Sequence, residues 1–155
     1  MRLILRAAGA MRAGPERELV DDYLGRADKL ARGNGVLSVT EEAVDVSRAS
    51  GREEETEKVL DVPPGATLFV LDERGKAMSS RELADTLARL RDDGVSAAVF
   101  AIGAADGFAP SAIPAGARRI SFGRQTWPHK LVRVMLAEQL YRALSILAGS
   151  PYHRD

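Results

Sequence analysis

Two spacings of apolar residues take turns along the chain. Residues 2–8 read as a strand, with Leu3, Ile4, Leu5, Ala7 and Ala8 around Arg6. Pro15 then stands at a helix start, and Leu19, Val20, Tyr23, Leu24, Ala27, Leu30 and Ala31 fall on one arc of about 140° at 100° per residue. Residues 35–40 predict a second strand. A short, very acidic helix follows around residues 53–60, stopped by Pro63 and Pro64. Residues 66–72 form an apolar run closed by Asp72, as in a strand covered on both faces. Ser79 and Glu82 make a capping box, with Leu83, Leu87 and Leu90 repeating behind it until Gly94. Residues 95–102 predict another buried strand and residues 118–122 a short fifth one. A last helix is expected from about residue 130 to residue 148, with Gly149 and Pro151 as stop signals.

Strands alternating with helices predict an α/β domain: a largely parallel sheet with helices on both faces. The 155 residues suit one domain. In such sheets ligands sit outside the carboxyl ends of strands. That directs attention to residues 72–80, 103–110 and 123–130.

The last helix carries a second signal. With Arg133 at 0°, Ala137, Leu140 and Leu144 lie within about 40° of it, and Leu136, Leu147 and Ala148 within about 60°. Arg133 therefore stands in the densest apolar arc and needs a carboxylate, a carbonyl or an anion as partner. Leu131, Met135 and Ile146 fall on the opposite side, so the helix is apolar nearly all round. Either a second copy of the protein covers that side, or this is a central core helix with a snorkelling arginine.

Composition narrows the class. At 45% hydrophobic and 28% charged residues, the chain is globular and not disordered. Cysteine is absent, which removes a disulfide framework, a cysteine nucleophile and thiolate zinc sites. The first residues imitate a signal peptide only until Arg6 interrupts them. The uncharged stretch at residues 95–105 is far short of the roughly 18 residues a membrane span needs. The expectation is a soluble, cytoplasmic protein with no membrane partner. Its zero net charge hides an asymmetry: residues 1–110 hold 15 Lys+Arg against 20 Asp+Glu, whereas residues 111–155 hold 7 against 2. One basic end on an acidic body can meet phosphate while discouraging non-specific sticking. Small domains also show such imbalance by chance.

The candidate chemistry is sparse. Residues 103–107 begin and end with glycine after a buried strand, so their backbone can approach a ligand or simply turn. They are neither a dinucleotide fingerprint nor a phosphate-binding P-loop. Ser111 or Ser121 can be grouped with His129 on paper, but no nucleophile-elbow spacing supports a serine–histidine–acid set. Asp72, Glu73 and Asp106 lack metal-ligand spacing, so no metal is expected. The tail gathers Tyr152, His153 and Arg154 just after a helix stop, a combination that stacks on a base and contacts phosphate unless the end is merely frayed.

Three segments go beyond pattern. The first is Leu71, Asp72, Gly75, Lys76, Ser79 and Ser80, similar to L-D-x-x-G-K-x-x-S-S. The second is Ile102, Gly103 and Gly107, similar to I-G-G-x-x-G with Ala104 at the second glycine. The third joins Pro128 and His129 to Arg133, Val134, Glu138, Gln139, Tyr141, Arg142 and Ala143, and ends with Tyr152 and His153. Together they resemble the RlmH family of SPOUT-superfamily methyltransferases, which methylate a pseudouridine of large-subunit ribosomal RNA.

The resemblance implies one SPOUT methyltransferase domain over residues 1–155, with a trefoil knot near the carboxyl end, a rare exception among folds. It implies a homodimer with S-adenosylmethionine (SAM) bound among the knotted loops. Carried over residue by residue, Leu71, Gly103, Phe122, Gly123, Arg124, Gln125, Thr126 and Trp127 would form the SAM pocket. His129, Tyr152, His153 and Arg154 would serve the nucleotide as catalytic residues. The implied substrate is N3 of a pseudouridine in 23S rRNA, reached on the assembled 70S ribosome. A catalytically inactive homologue that binds RNA or the ribosome is the alternative. Ala104 would strain its loop by about 1–2 kcal/mol if that position requires positive φ.

Overall fold

The computed structural model describes residues 1–154. Among these the strands are β1 (Arg2–Ala8), β2 (Val39–Val44), β3 (Ala66–Ala77), β4 (Ala97–Ile102) and β5 (Arg118–Ser121). The helices are α1 (Pro15–Ala31), α2 (Arg52–Leu60), α3 (Ser80–Asp92) and α4 (His129–Leu147). A short 3-10 turn, Pro110–Ala112, stands between β4 and β5 where the other strands have a helix. All pairings are parallel, in the order β2-β1-β4-β3-β5. No described helix is long and apolar enough to cross a membrane.

Period-two alternation divides the sheet into two faces. Leu3, Leu5 and Ala7 of β1 and Ala98, Phe100 and Ile102 of β4 meet α1, α3 and α4 in one core. Ile4, Ala97, Val99 and Ala101 point the other way, toward Val59 and Leu60 of α2. Every residue of β4 is buried, which is why it reads as a continuous apolar run. Phe69 and Phe100 are register partners and stack with centroids 4.6 Å apart at 7°. Such a pair adds about 0.5–1.5 kcal/mol beyond its buried area. The α3 start is a full capping box: Glu82 N–H donates to Ser79 Oγ at 3.1 Å, and Ser79 N–H to the Glu82 carboxylate at 2.7 Å.

β4 begins at Ala97 and β5 ends at Ser121, slightly inside the expected ranges, and two strands depart further. β2 occupies Val39–Val44, not residues 35–40. Gly35, at φ 71°, closes a 3-10 turn after α1, and Val36 N–H returns to the Ala31 carbonyl at 2.9 Å. Val36 therefore belongs to the helix exit. Glu41 and Glu42 remain in the strand because Arg17 and Arg133 hold one carboxylate and Arg6 holds the other.

β3 continues past Asp72 to Ala77. Its register against β5 breaks, since Leu71 and Lys76 both face Ile120, and the residues between them bulge out. Gly75 sits where a Cβ would lie 2.6–2.7 Å from the Ile120 and Arg119 backbone. Only glycine leaves that space.

α4 packs against α1 and α3 and reaches β1 and β4. Its buried side takes in Arg133, Leu136, Ala137, Leu140 and Leu144 of the predicted arc, while Leu147 is half-buried and Ala148, just past the helix, is exposed. The Arg133 guanidinium donates to Glu41 at 3.2 Å and to the carbonyls of Ala8 and Gly9 at 3.3 and 3.1 Å. The required partner is thus a carboxylate at the end of the sheet. On the other side Leu131 is exposed, and Met135 and Ile146 are half-buried.

Candidate active site

The carboxyl ends of β3, β4 and β5 and the first turn of α4 enclose a cavity of about 360 Å³. This is the position where a parallel sheet offers backbone and loops to a ligand.

The first wall is the loop after β4. Gly107 N–H donates to the Ala104 carbonyl at 2.8 Å, and Gly107 takes φ 71°. The loop folds back so tightly that a Cβ on Gly103 would stand 3.1–3.3 Å from Gly107 and Phe108 backbone. Ala104 is different. No described non-glycine residue has positive φ, so its methyl group causes no backbone strain.

α2 clamps this loop, with Arg52 itself in the cavity lining. Arg52 donates to the Phe108 carbonyl at 2.6 Å and to the Gly107 carbonyl at 3.3 Å. Ala109 N–H donates to the Thr56 hydroxyl at 2.9 Å. Sequence reading missed both residues. The one available signal is Thr56 standing in the same buried helical row as Val59 and Leu60.

The second and third walls are joined. Ser121 Oγ donates to the Gly123 carbonyl at 2.7 Å and accepts from its N–H at 3.0 Å, which pins the turn at Gly123, φ 105°. Thr126 Oγ1 donates to the Glu73 carboxylate at 3.4 Å. Asp72 faces Arg119 and Arg74 at 3.6 and 3.7 Å. Ser111 donates to Glu53 at 3.0 Å. Both serine hydroxyls considered as partners for His129 are therefore committed elsewhere. Among the described residues no three of His, Asp and Glu converge as a metal-ligand group.

Of the residues expected around the cofactor, Leu71, Gly103, Phe122, Gly123, Gln125, Thr126 and Trp127 line this cavity. Arg124 lies outside the lining and is exposed. Of those expected at the nucleotide, His129 lines the cavity as the first residue of α4, with no acidic side chain in that first turn.

The tail lies elsewhere on its own chain. Tyr152 packs at a 55° tilt against Tyr141, with ring centroids 4.6 Å apart, and donates its hydroxyl to Glu138 at 2.9 Å. Burial, followed by that hydrogen bond, raises the Tyr152 phenol above its usual range. Arg142 binds Glu138 at 2.6 Å, lies over the Tyr152 ring, and meets His153 Nδ1 at 3.2 Å. Arg154 is exposed. Tyr152, His153 and Arg154 are not among the residues lining the cavity.

A family model described as "Predicted SPOUT methyltransferase" matches residues 1–153. The chain belongs to the SPOUT methyltransferase family. Within it, the chain is 51% identical to "Ribosomal RNA large subunit methyltransferase H" of Maricaulis maris, with all of both chains covered. It is 50% identical to the protein of the same name from Chelativorans sp., covering all of this chain and 92% of that one. It is 52% identical to the Cereibacter sphaeroides protein of that name, over 99% of each.

Proposed function

We propose that the protein transfers a methyl group from SAM to N3 of a pseudouridine in 23S ribosomal RNA on the assembled 70S ribosome. The observation that carries this reading is the meeting of three distant segments, Leu71, Gly103 and residues 122–127, around one cavity with His129 at its edge. The large-subunit ribosomal RNA named for the relatives supports the substrate.

The cavity suits the cofactor. Leu71, Ile102 and Phe122 offer apolar surface to a flat heterocycle. Gly103 and Gly107 keep the backbone free of side chains. Glu73 and Asp106 supply carboxylates for a ligand carrying ammonium and sulfonium charge.

SAM brings a methyl group already activated by its sulfonium. What remains for the chain is to align the acceptor nitrogen and help remove the imide proton. His129 is the group for that task, orienting or deprotonating the base. The first N–H groups of α4 have no acceptor within the helix, and they favour negative charge on the base as its proton leaves.

The reading includes a homodimer. Tyr152 and His153 are held against α4, and neither they nor exposed Arg154 line their own cavity, so in this reading the tail of one copy serves the site of the other. Exposed Leu131 and half-buried Met135 supply apolar surface for the contact. It also includes a trefoil knot formed by the segment after β5 as it returns to α4, with residues 1–155 acting as one domain in the cytoplasm.

The test is incubation with methyl-labelled SAM and 70S ribosomes lacking the modification. Label mapped by mass spectrometry to one pseudouridine of 23S rRNA is the expected result. His129→Ala retaining most of that activity would remove the histidine from its role, and a monomer by light scattering would remove the shared site. No label with SAM binding intact would redirect the search to another RNA.

A further inference from the structure

Residues 124–131 are exposed without a break, directly beside the cavity. They contain Trp127, one of the large apolar side chains left open in the described chain at 39%, while Leu131 at their far end belongs to the dimer contact. The Trp127 indole lines the cavity mouth while exposing this much surface. Two cations stand three residues to either side of it in the chain. Arg124 and Lys130 have no ion-pair partner among the described residues, whereas Arg17, Arg26, Lys58, Arg133 and Arg142 each have a carboxylate.

An open indole between unpaired cations matches the two faces of a single-stranded nucleic acid. A base offers a flat surface to stack on, and its phosphates offer negative charge. We propose that Arg124, Trp127 and Lys130 form an RNA-gripping rim: Trp127 stacks on a base at the cavity mouth, and Arg124 and Lys130 hold the adjoining phosphates. This rests on the methyltransferase reading and gives its site a docking edge. Charge inside the cavity supports the division of labour. The lining sets Asp72, Glu73 and Asp106 against Arg52 and Arg74, so the cavity holds no excess of positive charge for phosphate, and the backbone stays at the rim while an uncharged base can enter. The function of Arg124 then differs from the cofactor contact that the family resemblance implied.

The experiment measures methyl transfer against ribosome concentration and salt, together with SAM affinity by calorimetry. Arg124→Gln combined with Lys130→Gln raises the ribosome KM about tenfold and makes the log–log salt dependence shallower by about two, while SAM Kd stays within about twofold. Trp127→Ala raises the ribosome KM about tenfold or more, and Trp127→Phe restores it to within about threefold because the ring is kept. Unchanged ribosome KM in these variants overturns the rim. So does a loss of SAM affinity that accounts for the whole loss of activity, since the residues then belong to the cofactor. A dimer that falls to monomer in Trp127→Ala assigns the surface to a second copy and overturns it as well. A wild-type protein that transfers no methyl to ribosomes overturns the functional reading itself, a result distinct from an active wild type with indifferent variants.

Discussion

Arg133 and Glu41 lie 92 residues apart in the chain and 3.2 Å apart in space, and their ion pair ties α4 to the edge strand β2. The Arg133 side chain is 4% exposed and Glu41 is 16% exposed. Removing one partner leaves a buried charge behind. Glu41→Leu is expected to cost about 3 kcal/mol in urea unfolding, while the double change with Arg133→Met recovers most of that loss. A double variant no better than the single one would mean that the carbonyl bonds to Ala8 and Gly9 dominate.

Gly75 stands against the β5 backbone at a distance no Cβ tolerates. Gly75→Ala is expected to destabilise the protein by about 3 kcal/mol, because the bulge must move off Ile120. At this chain length that lowers Tm by about 10 °C in a thermal melt. An unchanged Tm would show that the bulge is free to shift.

The neighbouring positions Gly103 and Ala104 are expected to behave in opposite ways. Gly103→Ala pushes a methyl group into the Gly107 backbone and weakens SAM binding about tenfold by calorimetry. Ala104→Gly binds SAM at least as tightly as wild type, and by less than about threefold more, since there is no strained φ to relieve. The added backbone freedom costs about 0.4–1 kcal/mol of stability.

Glu54 gives a pH signature. The Ser50 hydroxyl and N–H donate to its carboxylate at 2.6 and 2.8 Å, and Lys58 adds an ion pair at 3.0 Å. These hold its carboxyl down at about 2, against an ordinary 4.5. The folded value lies below the unfolded one, so the stabilisation is present above about 4.5 and is lost as pH falls toward about 2. Ser50→Ala is expected to raise the Glu54 pKa in an NMR titration. Its stability deficit against wild type should shrink across that window.

The elements legible in the sequence are those whose own residues carry the signal. β1 and β4 alternate or run apolar because their neighbours cover both faces, and the α3 cap needs only Ser79 and Glu82. The α4 arc pointed to Arg133 and demanded a partner, but Glu41 sits in a strand whose polar residues argue against burial. The β3 extension was hidden because its pairing depends on Ile120, far along the chain. The strand-end rule led to the cavity. Arg52 and Thr56 escaped because they steady it from a helix on the other face of the sheet.

The cavity borrows its lining from residues as early as Arg52 and as late as Val132. An emerging polypeptide therefore has no pocket until α4 has left the ribosome that made it, and a product cut short before that point is a non-binder and not a weakened one. Cofactor capture therefore reports that the chain has folded as far as α4, and only such molecules gain the ligand's thermal protection.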